Sequence, residues 1–163
     1  MKSNYITPSG EKTLRDELRH LWRVVRPEWT QRVSDAAKEG DRSENAEYIY
    51  SKKKLREIDR RVRYLTKRLE AIEVVSRTPE DQSKIFFGAW VELELDNIVL
   101  TYRLVGSDEF DQHEDYISID SPLARKLLGK TVGDEVVLNI AEEIKEYTVL
   151  AVYYSPQKSP EPS

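Results

Sequence analysis

The chain has no cysteine, two histidines and only six glycines in 163 residues. Without cysteine there can be no disulfide framework, no thiolate zinc site, no iron–sulfur cluster and no cysteine nucleophile. A reducing cytosol suits such a chain. The glycines are scattered, and none stands in a GxGxxG or GxxxxGK arrangement that would cradle a phosphate. Residues 1–8 carry no apolar segment of the signal type, and nowhere do roughly 18 consecutive apolar residues occur. The expectation is a cytoplasmic protein with no membrane partner.

Charge, by contrast, is abundant. Asp, Glu, Lys and Arg make up 34% of the chain, against roughly a quarter in an average soluble protein. The length fits one or two small domains rather than one large core. Net charge is -4, yet the distribution is uneven: nine basic and two acidic residues lie between Lys52 and Arg68, a local balance of +7, which leaves -11 for the rest.

A composition shift divides the chain. Residues 1–76 hold long stretches with helical spacing, residues 77–83 are polar and contain Pro79, and residues 84–154 hold short runs rich in Val, Ile, Tyr and Leu. Residues 155–163 are rich in Pro and Ser, a composition that predicts disorder.

In the first part, Leu14, Leu18, Leu21 and Val25 are spaced 4, 3, 4, and Leu55, Ile58, Val62, Leu65, Leu69 and Ile72 are spaced 3, 4, 3, 4, 3. These are two coiled-coil seams. Helices packed antiparallel require facing layers whose position numbers have a constant sum. Leu14 with Leu69, Leu18 with Leu65, Leu21 with Val62 and Val25 with Ile58 all give 83. The hairpin should turn between Asp41 and Arg42, with the Leu14 layer roughly 40 Å away. Pro27 removes a helical bond to the Arg23 carbonyl, so a kink or a phase slip is expected there. Beyond it Trp29, Val33 and Ala36 continue the stripe, and Val33 and Ala36 should face Ile49 and Ala46. Thr7 with Pro8 can cap the first helix, and Asp41 or Ser43 the second.

The second part reads as α+β with an antiparallel sheet. Strands fit residues 89–95, 98–105, 116–119, 135–140 and 145–153, and a short helix opens at Ser121 and Pro122 and ends by Gly129. Phe86, Phe87, Trp90 and Tyr116 could line a pocket or simply belong to the core.

Two features could carry chemistry. Lys53, Arg60 and Lys67 form one row spaced by seven, and Lys54, Arg61 and Arg68 the next; with Lys52, Arg56 and Arg63 they make one outer face of the second helix basic. That face is either a solvated coiled-coil exterior or a surface for a phosphate backbone or an acidic partner. The second feature is the acidic turn with Glu39, Asp41, Glu44 and Glu47. Asp41 and Glu44 either cap the helix start or serve a metal, since Mg²⁺ accepts one or two carboxylates and completes its shell elsewhere. Two carboxylates alone hold Mg²⁺ poorly, so another molecule would have to supply the remaining ligands. His20 and His113 fall on outward or loop positions, and no nucleophile–base pair is visible.

The run from Gly40 to Tyr48, followed by residues 53–63, closely resembles the GreA/GreB family of bacterial transcript cleavage factors. Residues 86–91 and 115–122 extend the likeness, and Arg42-Ser43 between Asp41 and Glu44 is similar to the GreB branch. The resemblance covers about residues 5–154. It implies a coiled-coil finger over residues 1–76 with an acidic tip, and an FKBP-like domain over 84–154 that docks on RNA polymerase at its secondary channel. By the same resemblance the protein is an accessory factor, not an enzyme, and has no small-molecule substrate. Asp41 and Glu44 would help hold a Mg²⁺ shared with the polymerase and stimulate hydrolysis of backtracked nascent RNA. The basic residues Lys52, Lys53, Lys54, Arg56, Arg60, Arg61, Arg63, Lys67 and Arg68 would meet the extruded RNA 3′ segment. Asp120, Ser121 and Pro122 would form the polymerase-docking loop, although a helix cap explains them equally well. The competing expectations are a channel-binding inhibitor without cleavage activity, a prolyl isomerase, and an RNA-binding arm with no polymerase partner.

Overall fold

The computed structural model describes residues 2–40 and 45–155. The chain divides into two compact units, Glu11–Ile72 and a second unit made of Met1–Gly10 with Glu73–Ser163. The N-terminal ten residues and residues 73–76 therefore group with the β-rich unit rather than with the finger expected over residues 1–76. The strand pairing described below is the reason.

The helical part comprises α1 (Pro8–His20), a π-helical turn (Leu21–Val25), α2 (Arg26–Ala37) and α3 (Ala46–Ala71). Thr7 caps α1 as expected, its hydroxyl accepting from the Gly10 amide at 3.1 Å, with Pro8 in the first turn. The break expected at Pro27 takes the form of the π turn just upstream. Because Pro27 offers no amide hydrogen to the helix, the chain takes in an extra residue, and the Arg26 amide bonds the Leu21 carbonyl five positions back.

The predicted seam faces inward. Ile58, Leu65, Leu14 and Ala36 are buried, and Leu18, Leu21, Val25, Val33, Leu55, Val62 and Leu69 are half-buried. The first turns of α3 depart from expectation. Ile49 is 51% exposed and Ala46 is exposed, while Ser51 is buried and Tyr48 half-buried. Counting back by seven from Leu55 and Ile58 reaches Tyr48 and Ser51, so the helix keeps its geometric phase and accepts polar residues on the seam. Hydrophobicity alone would have put Ile49 there instead.

In the β-rich unit, β1 (Tyr5–Ile6) pairs in parallel with β2 (Glu73–Val74). A five-stranded sheet contains β3 (Trp90–Leu95), β4 (Ile98–Val105), β5 (Tyr116–Ser118), β6 (Glu135–Ile140) and β7 (Glu143–Tyr153), in the order β5-β4-β3-β7-β6. The sheet is mixed, not wholly antiparallel: β4 and β5 run parallel, with Arg103 opposite Tyr116. Residues 106–115 carry the chain back along β4 before β5 begins, the kind of crossover that parallel pairing needs. The short α4 (Pro122–Leu127) covers the core with Ala124 and Leu127, against Val91, Leu93, Leu104, Leu138 and Val149. Alternation along β3 puts Trp90 on the opposite sheet face. Among the described residues no helix is long and apolar enough to cross a membrane.

Candidate functional site

The connection between α2 and α3 is framed by one side chain outside the expected set of caps. Asn45 is the N-cap of α3, its carbonyl oxygen accepting from the Tyr48 amide at 3.1 Å. Its amide nitrogen donates to the Ala36 carbonyl near the end of α2 at 2.7 Å. One residue thus satisfies an orphan donor of α3 and ties it to the end of α2, where the Ala36 carbonyl also accepts from the Glu39 amide at 3.2 Å. The N-cap of α3 is therefore Asn45 rather than Asp41 or Ser43, the candidates the sequence offers, which lie outside the described residues. The signal was an Asn directly before the periodic run, obscured by four earlier polar candidates. Asp41 and Glu44 lie outside the described residues; of their acidic neighbours, Glu39 and Glu47 are exposed. Among the described residues no group of three or more His, Cys, Asp or Glu could hold a metal ion.

The basic face of α3 is real. Lys53, Arg56, Arg60, Arg63 and Lys67 are exposed and Lys54 half-exposed, and none of the six is among the ion pairs of the described residues. Arg61 differs, since its guanidinium bonds both carboxylate oxygens of Glu17 across the hairpin at 2.9 Å. Lys52 lies over the Tyr48 ring and donates to its hydroxyl at 3.2 Å. Arg68 is half-buried. Apart from the Arg61–Glu17 pair, opposite-charge neighbours lend this surface little support among the described residues.

In the β-rich unit, Asp120 accepts from the Ser3 amide at 2.7 Å, and the Ser121 hydroxyl accepts from the Ala124 amide at 3.3 Å, capping α4. Pro122 fills the first helical position and is exposed. Asp120 and Pro122 line a cleft of about 460 Å³ together with Arg125, Lys126 and Leu138. Trp90, Tyr116 and Arg103 form an aromatic–cation group, with Arg103 5.6 Å from the Trp90 ring centre and donating to the Tyr116 hydroxyl at 3.3 Å. Phe87 packs against the core and Phe86 is partly exposed, so the four aromatic residues do not converge on one pocket. His20 and His113 are exposed.

The helical hairpin with its basic face and the mixed sheet that follows it fall within two models of transcription elongation factors: the N-terminal domain over residues 4–74 and the GreA/GreB C-terminal domain over residues 80–154. The protein belongs to the GreA/GreB family of transcription elongation factors. It is 56% identical over 155 residues to transcription elongation factor GreB of Pseudomonas putida, covering 94% of this chain and 96% of that one. Against GreB of Haemophilus ducreyi the identity is 54% over 154 residues, covering 94% and 91%. Among solved structures, GreA factor homolog 1 of Thermus thermophilus aligns over 93% of this chain and 99% of that one, with 23% identity and a TM-score of 0.43.

Proposed function

We propose that this elongation factor acts on RNA polymerase through its secondary channel and stimulates cleavage of backtracked nascent RNA, with the active site remaining that of the polymerase. The observation that carries this reading is the Asn45 cap: the N-cap position of α3, the alternative use for the tip carboxylates, is filled by Asn45. Two carboxylates are hard oxygen donors of the kind Mg²⁺ takes, and they are too few to complete its shell. They fit an ion shared with another protein. When bound there, Mg²⁺ would supply Lewis-acid stabilisation of the attacking oxygen in a two-metal hydrolysis. In this reading Asp41 and Glu44 orient the incoming water, the unpaired cations of α3 hold the phosphates of the extruded RNA, and Asp120, Ser121 and Pro122 dock the β-rich unit on the polymerase.

The experiment is a transcript-cleavage assay on stalled elongation complexes with Asp41→Asn and Glu44→Gln. Polymerase binding should persist while stimulated cleavage is lost. Cleavage at the unmodified rate overturns the assignment. Inhibition of elongation that ignores both substitutions would identify a channel-occupying inhibitor instead.

A further inference from the structure

Trp22 has no role in the reading above, yet it is 57% exposed on the π turn of the hairpin. Beside it opens a groove of about 560 Å³ between α1 and α3, floored by Leu18, Val62 and Leu69 and rimmed by Arg15, Arg19 and Arg23. These three floor residues belong to the apolar seam, but each remains half-exposed where Ile58 and Leu65 are covered. The hairpin leaves an apolar slot unfilled at this level.

The ring is held from one side. Arg26 sits 5.3 Å from the Trp22 ring centre and is itself anchored by Asp59 at 2.7 Å. Of the rim cations, Arg15 is engaged by Glu11 at 2.5 Å and Arg19 leans on Asp16 at 3.8 Å, while Arg23 is in no ion pair of the described residues. An oriented indole face, an apolar floor and a rim of guanidinium groups, with Arg23 in no ion pair of the described residues and Arg19 only loosely held, are the elements of a single-strand nucleic-acid site, where bases stack and cations track the backbone. An acidic protein segment would use the cations but has no need of an oriented flat ring.

We propose that this groove seats an unpaired RNA base stacked on Trp22, with the adjoining phosphate held by Arg19 and Arg23. The proposal rests on the reading that the hairpin meets nascent RNA, and adds to the basic face of α3 a base-stacking position on the other helix. Such a site is tolerant of sequence, because every base presents a π face.

The test uses the full-length protein, a short fluorescently labelled single-stranded RNA and its abasic counterpart at low salt, read by anisotropy. Trp22→Leu should weaken binding of the base-bearing RNA roughly fivefold or more, Trp22→Phe should recover most of it, and the abasic strand should bind all three proteins alike. Arg23→Gln, at an exposed position on the groove rim, should weaken both strands. Equal binding of the base-bearing RNA by Trp22→Leu and the unmodified protein, or no base dependence in the unmodified protein, overturns the proposal. So does a Trp22→Leu defect seen only in association with RNA-free polymerase, which would make the groove a protein seat. Asp41→Asn separates the two readings: it should leave this RNA binding untouched, so Trp22-dependent binding without tip-dependent cleavage would sink the cleavage reading and spare this one.

Discussion

The carboxylate of Glu109, fully buried, accepts hydrogen bonds from both the amide and the hydroxyl of Thr7, the residue that caps α1. It also accepts from the Gly106 amide at 2.8 Å. No cation is paired with it among the described residues. The start of the first helix is thereby fastened to the loop between β4 and β5, 102 positions away in sequence. Replacing Glu109 with Ala strands three buried donors. Unfolding in urea should show a loss of about 3 kcal/mol or more.

The same contact reverses the usual sign of a helix substitution. Gly10→Ala in a helix ordinarily stabilises by about 0.5–1 kcal/mol. Here the added methyl carbon would stand 2.1 Å from the Glu109 carboxylate oxygen. Gly10→Ala should therefore lower the urea midpoint. At Gly106 the obstacle is the Tyr5 carbonyl at 2.0 Å, which cannot rotate away, so Gly106→Ala should be the more damaging of the two.

Alkali should weaken the β-rich unit by a definable route. Burial pushes the Tyr154 phenol above its ordinary value of 10.0, opposed in part by the hydrogen bond from the Phe86 amide. Burial does the same to Tyr102 and Tyr153. Below pH 10 these phenols are protonated in both folded and unfolded chains and contribute no pH dependence. Above about pH 10 the unfolded chain ionises first, so stability falls as pH rises through that window. Urea midpoints between pH 8 and 11 should show the decline, with a shallower slope for Tyr154→Phe. That variant should also lose about 0.5–1.5 kcal/mol at neutral pH, because the hydroxyl joins the Phe86 amide to the Lys84 carbonyl in bonds that water can partly replace.

The β6–β7 hairpin turns through Ala141 and Glu142, at φ 47° and 69°. Both are left-handed, a conformation that disfavours residues with a side chain and suits Asn-Gly. Exchanging the pair for Asn-Gly should raise stability by about 1 kcal/mol, seen as a higher denaturation midpoint with an unchanged m-value.

Neutralising Arg60 and Arg61 together should leave the fold nearly intact. The Arg61–Glu17 pair is 44% and 37% exposed, so water screens it and its loss costs about 1 kcal/mol at most. Cleavage of complexes with long extruded RNA should weaken, and the salt dependence should flatten by roughly 1.4 in the logarithmic slope if both cations meet phosphate. A slope matching the unmodified protein would remove Arg60 and Arg61 from the RNA surface.

Much of this was legible beforehand, because both helical seams and most strands repeat at the period of their own backbone. Strand limits for β4 and β6 coincide with the apolar alternation, and the seam of Ile58 and Leu65 is buried as the heptad requires. Where periodicity and chemistry disagreed, as at Ile49 against Tyr48 and Ser51, backbone phase prevailed over hydrophobicity. The Asn45 cap was hidden among neighbouring polar residues, any of which could have taken its place.

By itself the chain's order of residues determined the two-part architecture, the basic face of α3 and the family, since each is written in local spacing or contiguous motifs. Only the folded molecule decided that residues 2–10 belong with the sheet, that β5 runs parallel to β4, and that Trp22 stands beside an open groove. Those outcomes depend on which distant groups satisfy one another: a two-residue parallel pairing, a buried carboxylate reaching across the fold to Thr7, a π turn formed to absorb one proline. Such bonds leave no period in the sequence, and their energy exists only once the partners have met.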